Sequence, residues 1–153
     1  MRQHVFRGKS LEKKRWIYGN LTSRQLLETD SEEVWKICKG GIPVIIDSHG
    51  NSHAVDKRTV GELTGCKDKN GFPIFEGDIL CNRISPAPFG VVKWHEHGYF
   101  CICDNIAAEK DLEPVKAPRQ FMPLGSMLNL SISGTPVDFE VIGNMFDNPE
   151  MTK

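Results

Sequence analysis

Short apolar segments separated by polar turns recur along the chain, which is the pattern of β-strands rather than of long helices. Near the start, Phe6 and the segment 16–18 (WIY) flank a charged stretch, GKSLEKKR. This arrangement predicts two strands joined by a polar hairpin loop. The segment 43–46 (PVII) predicts a further short strand, which is followed by a turn at 49–51.

Two segments have the polar starts that are typical of short helices. In the first, Asp30 or Ser31 is the predicted N-cap, acidic residues occupy the first turn, and the glycine pair at 40–41 ends the helix. In the second, Asp56 is predicted to cap a helix over about 57–63.

The stretch 64–80, TGCKDKNGFPIFEGDIL, carries the densest turn signals in the sequence. Asn-Gly at 70–71 is a strong hairpin signal, because both residue types tolerate positive φ. Pro73 is incompatible with a central position in a β-ladder. The triplet 76–78 (EGD) predicts a bend that leads into an apolar strand at 79–81.

The second half of the chain predicts more antiparallel strands. Segments 90–94 and 99–103 predict a hairpin around the HEHG sequence between them. Residues 105–136 predict a long connection punctuated by prolines, within which 123–130 is expected to make a helical turn. The apolar segment 139–144 predicts a closing strand. The fold class that follows is mainly β, an α+β chain with two short helices.

Length and composition are those of a globular protein, with 153 residues of which 39% are hydrophobic and 25% charged. No apolar run approaches the roughly 18 residues that cross a bilayer. The basic start of the sequence lacks the apolar core of a signal peptide. We therefore expect a cytoplasmic protein with no membrane partner. The five cysteines, an odd number without a C-x-x-C pair, predict reduced thiols.

The net charge of −1 provides no general attraction to nucleic acid or to membranes, but the charges are unevenly placed. Residues 1–15, from Arg2 to Arg15, hold six basic side chains and one acid, whereas residues 138–153 hold four acids and one lysine. The basic segment has three interpretations that the sequence leaves open: a solvated hairpin, an arm that binds an anion, or an arm that docks on an acidic surface of a neighbouring subunit.

Residues 64–80 do not match two ligand-binding motifs that they superficially suggest. A calcium loop beginning at Asp68 would need oxygen ligands where Phe72 and Ile79 stand. A phosphate-binding P-loop fails as well, because the glycine spacing is one residue too long and no lysine follows it.

Two clusters carry residue types that are used in catalysis or metal binding. Glu76 and Asp78 would face one side of a strand and could act as an acid–base pair or bind a hard cation. Gly77 between them instead favours a bend in which the acids accept bonds from backbone N–H groups. The second cluster contains residue types that ligate zinc: His95, His97, Cys101 and Cys103. Its spacing is not that of the common structural zinc sites, so we assign no metal-binding, catalytic or cofactor-binding residues.

Aromatic residues close to Lys93 could stack on nucleobases. They are Trp94, Tyr99 and Phe100. Packing within and between strands explains the same pattern and is favoured. A cysteine–histidine nucleophile pair has no local motif here, and no G-x-S-x-G sequence occurs. Without a complete catalytic motif, the chain is not expected to be an enzyme or to need a cofactor.

Three motifs occur in a defined order along the chain: Phe6-Arg7 with 16–19 (WIYG), then 60–80, then 139–150 (FEVIGNMFDNPE). In this combination the sequence resembles the YopX family of phage and prophage proteins. The segment 91–94 (VVKW), which precedes an aromatic strand, also fits that family.

The resemblance implies a mainly β protein whose C-terminal part is an SH3-like β-barrel, self-assembly into a homo-oligomer, and a setting in a bacterial mobile element. It supplies no catalytic residues. The expected domains are an N-terminal β-rich oligomerisation subdomain over 1–64, a barrel over 65–148 with a long inserted loop at about 105–136, and a tail over 149–153.

We therefore expect a non-catalytic phage or prophage accessory protein that acts as a binding and self-assembly module, with a protein partner possible. Three alternatives stay open. One is a nucleic-acid-binding regulatory protein that uses the basic N-terminal arm, which the near-zero net charge does not favour. The others are a small metal-dependent or thiol enzyme and a structural subunit of a larger particle.

Overall fold

The chain divides into two compact units, residues 1–63 and 64–153. The computed structural model describes residues 4–82, 85–95, 98–103, 120–129, 131–132, 135–136 and 138–152, with the backbone alone described at 85–87, 100–103, 120–122, 131–132 and 135–136. Both units are built mainly from antiparallel strands, as the sequence predicts. No helix within the described part of the chain is long and apolar enough to cross a membrane.

The elements of the first unit are β1 (Phe6–Lys9), β2 (Trp16–Arg24), α1 (Glu32–Ile37), β3 (Ile42–Ile46), β4 (Ser52–Ala54), a 3₁₀ turn (Lys57–Thr59) and the start of β5 (Gly61–Lys67). The strands follow the order β4-β3-β2-β1-β5. Ile17, Ile45 and Val55 form the core of this unit. An isolated bridge between Ser10 and Val55 links the end of β1 to the residue after β4.

The first predicted helix is confirmed, and the second is much shorter than predicted. Ser31 is the N-cap of α1, and its hydroxyl accepts a bond from the Val34 N–H. Asp56 caps the second element as predicted, but that element is a single 3₁₀ turn. The predicted helix over 57–63 is wrong because β5 has already begun at Gly61, and the Leu63 N–H donates to the carbonyl of Val5 (2.7 Å).

The elements of the second unit, which begins within β5, are β6 (Pro73–Phe75), β7 (Asp78–Asn82), β8 (Ser85–His95), β9 (Gly98–Cys103), β10 (Gln120–Pro123), α2 (Leu124–Leu128), β11 (Ser131–Ile132), β12 (Thr135–Pro136), β13 (Phe139–Asn144) and a 3₁₀ turn (Pro149–Thr152). Five strands form one sheet in the order β10-β9-β8-β7-β13, and β5 neighbours β6. As far as the chain is described, this sheet is open. The SH3-like barrel and the domain boundaries stay predictions.

The predicted long loop at 105–136 contains regular structure, which corrects the sequence interpretation. Residues 104–119 lie outside the described residues, but β10 pairs with β9 and α2 follows at once. The helical turn predicted at 123–130 is thereby confirmed. Leu124 and Met127 of α2 are fully buried in the core of the unit, so the helix is a part of that core. Its other buried members are Ile74, Leu80, Val92 and Phe139.

Candidate functional site

The turn after β5 is organised by the carboxylate of Asp68, which is only 7% exposed. Oδ1 accepts the N–H groups of Asn70 (2.8 Å) and Phe72 (2.9 Å). Gly71 has a φ of 82°, whereas Asn70 is not in the left-handed region. The turn is therefore a longer loop closed around Asp68, and not the two-residue Asn-Gly turn that the sequence suggests.

The same turn covers the outer edge of β13. Asp68 Oδ2 accepts the Val141 N–H (3.2 Å), and the Lys69 N–H donates to the carbonyl of Phe139 (2.9 Å). The Lys69 ammonium also lies 2.8 Å from Glu140. Its hydrogen bond holds the pKa of Glu140 below its usual range. These contacts satisfy backbone groups of an edge strand, which is a structural role.

Glu76 and Asp78 hold a bend, in agreement with the structural interpretation of this pair. Asp78 is 2% exposed and accepts the Phe75 N–H at 2.8 Å. Glu76 Oε1 accepts the Trp94 N–H at 3.3 Å. Gly77 between them has a φ of 88°, which an L-residue adopts at a cost.

The histidine–cysteine cluster falls largely outside the described residues. His95 pairs with Gly98 at the end of the β8–β9 ladder, and His97 lies outside the described residues. The side chains of Cys101 and Cys103 are not described either. Among the residues that are, no group of three or more potential metal ligands occurs. Metal binding by this cluster stays an untested hypothesis.

The described cysteines are Cys38, Cys66 and Cys81, and each is a free thiol. Burial raises the pKa of Cys81, whose Sγ donates to Glu140 Oε1 at 3.7 Å. A thiol held protonated in this way is a weak nucleophile, so Cys81 does not support the thiol-enzyme alternative.

Trp94 and Tyr99 form an edge-to-face aromatic pair, with ring centroids 4.9 Å apart. Tyr99 packs against the core of the second unit, whereas Trp94 is half exposed. The pair therefore combines the predicted strand packing with a partly exposed ring next to the exposed Lys93. The side chain of Phe100 is outside the described set.

In the first unit, large apolar side chains are exposed on a segment that we call the 21–35 segment, which runs from the middle of β2 to α1. They are Leu21, Leu27 and Trp35, with exposures of 36%, 55% and 44%. No residue of α1 is buried. Single exposed apolar residues are ordinary, whereas this segment carries three of them within 15 residues.

The loop within the 21–35 segment is held by an ion pair between Arg24 and Asp30. Both carboxylate oxygens of Asp30 accept guanidinium N–H groups, at 2.8 and 2.7 Å, and Oδ2 also accepts the Leu27 N–H. These bonds lower the pKa of Asp30 to about 2. Leu27 is therefore displayed on an organised loop, which reduces the entropy that binding would cost. No local motif in the sequence indicates this pairing.

The basic N-terminal segment forms the β1–β2 hairpin, and its cations differ in accessibility. The exposed ones at the tip are Lys13, Lys14 and Arg15. Arg7, which the sequence places in the basic arm, is only 6% exposed, with its guanidinium 4.8 Å from the centre of the Trp16 ring. Arg7 therefore supports the hairpin and is not part of its exposed charge. Arg2 lies outside the described residues.

An open cleft of about 460 Å³ lies beside the hairpin in the first unit. Its lining comprises His4, Val5, Tyr18, Gly19, Asn20, Ile46, Asp47 and Ser48. The Asp47 carboxylate organises one wall, because it accepts bonds from His53 (2.9 Å) and from the N–H groups of His49 and Asn51. The His53 bond in particular holds the pKa of Asp47 well below its usual range. No motif in the sequence indicates this cleft.

A family model described as "YopX protein" matches residues 5–153. The chain belongs to the YopX family. The match covers nearly the whole chain, including the segments that carry no motif of their own. Among solved structures, this YopX-family chain is similar to the crystal structure of protein EF1440 from Enterococcus faecalis, with 21% identity over the full length of both chains and a TM-score of 0.49. Comparison with curated proteins finds no match.

Proposed function

We propose that this YopX-family protein is a non-catalytic binding and self-assembly module of a phage or prophage, and that it acts in the cytoplasm of its bacterial host. The observation that carries this proposal is the exposed apolar 21–35 segment with its organised loop. Tryptophan is enriched in protein contacts, and a preorganised loop lowers the entropy that binding costs.

The carboxylates of the family's central motif support the non-catalytic part of the proposal. Asp68, Glu76 and Asp78 each accept backbone N–H groups that belong to turns or strands. A carboxylate that accepts backbone N–H groups is committed to the fold, since using it for chemistry would leave those donors without that acceptor.

Sedimentation velocity over a wide concentration range tests the self-assembly. We expect the full chain to form a defined oligomer, and we expect the double variant Leu27→Glu/Trp35→Glu to shift it to a monomer with an unchanged circular dichroism spectrum. Charged residues at the centre of an apolar contact would be desolvated without a partner, which opposes association.

Phe72→Glu is the matched control, because Phe72 is a large apolar residue that is 64% exposed and does not belong to the 21–35 segment. This variant is expected to assemble like the wild type. A wild-type chain that stays monomeric at every concentration would contradict the proposal, as would a double variant that assembles normally.

A further inference from the structure

The β1–β2 hairpin places cations and aromatic rings on one face. Residues paired across antiparallel strands share a face. Arg7 is paired with Tyr18, and Lys9 with Trp16. The Lys9 ammonium lies 5.8 Å from the centre of the Trp16 ring, and Tyr18 is 49% exposed. Ile17, on the opposite face, belongs to the core.

The tip of this hairpin is held in one conformation by Ser10. Its hydroxyl accepts the Lys13 N–H (3.0 Å), its carbonyl accepts the Lys14 N–H (3.0 Å), and its own N–H donates to the carbonyl of Arg15 (2.9 Å). Lys14 has a φ of 53°, a left-handed conformation that glycine or asparagine adopts more easily.

The 3₁₀ turn at Lys57–Thr59 adds cations from a distant part of the sequence. The Lys9 N–H donates to Thr59 Oγ1 (2.8 Å), and the Asp56 N–H donates to the carbonyl of Lys9 (2.8 Å). These bonds place the exposed Lys57 and Arg58 beside the hairpin. Arg58 also forms an ion pair with Asp56, which holds its guanidinium in place.

We define the basic patch as the cations of residues 9–15 and 56–59: Lys9, Lys13, Lys14, Arg15, Lys57 and Arg58. Within the same segments the acids are Glu12 and Asp56, so six basic and two acidic side chains give a local charge of +4 in a chain whose net charge is −1. A net charge near zero is therefore compatible with a positive surface at this patch. The low net charge of the chain does not argue against an anionic partner there.

We propose that the basic patch and Tyr18 bind single-stranded nucleic acid, with phosphates on the lysines and a base stacked on the Tyr18 ring. This goes beyond the proposed self-assembly, since it uses the hairpin and not the 21–35 segment. An acidic protein would engage the cations alone, whereas a base needs an exposed ring beside them. Tyr18 also forms part of the wall of the 460 Å³ cleft, where Asn20 and Ser48 provide hydrogen-bonding groups for the edge of a base.

Fluorescence anisotropy with a labelled single strand of about 20 nucleotides tests this proposal, in DNA and RNA form, between about 50 and 200 mM salt. The charge variant is Lys13→Gln/Lys14→Gly/Arg15→Gln. The ring variant is Tyr18→Leu. The matched control is Lys36→Gln, because Lys36 is an exposed lysine on α1, outside the patch.

Urea unfolding tests whether each variant is folded. Lys14→Gly alone should be at least as stable as the wild type, because glycine relieves the left-handed backbone.

The wild-type chain is expected to bind the single strand more tightly than a duplex of the same sequence. The charge variant should weaken binding by about tenfold or more and flatten the plot of log K against log salt by about two, since each lost phosphate contact on a single strand contributes about 0.7. Tyr18→Leu should weaken binding by about tenfold and leave the slope unchanged. Lys36→Gln should change neither.

Three results would overturn the proposal: no binding of single strands at the lowest salt, full affinity in the Tyr18→Leu variant, or equally tight binding of polyglutamate. The last would identify an acidic protein surface as the partner. None of these results depends on the oligomeric state of the Leu27→Glu/Trp35→Glu variant, so failure of this proposal is distinguishable from failure of the proposed self-assembly.

Discussion

At the scale of single residues, the family's motif positions have roles that the contacts explain. Asp68 bonds three backbone N–H groups, one of which lies 73 residues away at Val141. Gly19, the last residue of the WIYG motif, has its Cα facing the backbone of β3. A Cβ at this position would lie 2.0 Å from the carbonyl oxygen of Ile46. Both positions serve the fold.

Asp68→Ala is expected to destabilise the protein by about 2 kcal/mol, because it leaves three partly buried N–H groups without their acceptor. Asp68→Asn keeps one oxygen and should cost roughly half as much. Urea unfolding at neutral pH measures both. Glu150 is exposed and lies in the 3₁₀ turn at Pro149–Thr152, so Glu150→Ala is the control. A loss below about 0.5 kcal/mol for Asp68→Ala would contradict the assigned role.

Gly19→Ala is expected to cost more than about 3 kcal/mol, because the backbone of β3 would have to move away from the added methyl group. Gly50→Ala is the matched control. Gly50 has a φ of 82°, but an added Cβ would meet nothing within 4 Å, so only the left-handed conformation contributes, about 1 kcal/mol. Equal stability of the two variants in thermal unfolding would contradict this expectation. It would show that β2 and β3 can move apart at little cost in free energy.

At the scale of elements, the residues that begin the two predicted helices were identified correctly, whereas the length of the second helix was not. Ser31 and Asp56 cap their elements as predicted, since a cap depends only on residues two or three positions away. The second helix stopped early because β5 pairs with β1, a contact between distant segments. The Arg24–Asp30 pair is the element-scale feature that shapes the proposed contact surface.

Asp30→Asn is expected to lower the urea midpoint at pH 7 and to increase proteolysis of the 25–30 loop. The pKa of Asp30 is lowered to about 2 in the folded state, against about 3.9 when unfolded. The carboxylate therefore contributes stability above pH 4, and this contribution is lost as the pH falls from 4 towards 2. The difference between variant and wild type should shrink over that window. A difference that is constant with pH would refute the assignment.

At the scale of the whole molecule, the two proposed surfaces respond differently to salt. Contact through the apolar 21–35 segment should persist at high ionic strength, because burial of apolar surface is not screened. If the basic hairpin instead docks on an acidic surface of a neighbouring subunit, the oligomer should dissociate at high ionic strength, because salt screens contacts between charges. Sedimentation of the wild-type chain in about 1 M salt, where the Debye length is about 3 Å, separates the two. Dissociation of the oligomer there would favour the hairpin contact.

The sequence by itself determined the mainly β class, the β1–β2 hairpin, the two caps and the family, because these depend on local patterns and on ordered motifs. Only the tertiary structure decided that Arg7 is buried, that α2 belongs to a core, that the Asp68 turn covers β13, and that the 3₁₀ turn brings Lys57 and Arg58 to the hairpin. Each of these is a contact between segments far apart in the chain. Such contacts form where burial and backbone pairing outweigh the entropy of closing a long loop, and local sequence does not encode that balance.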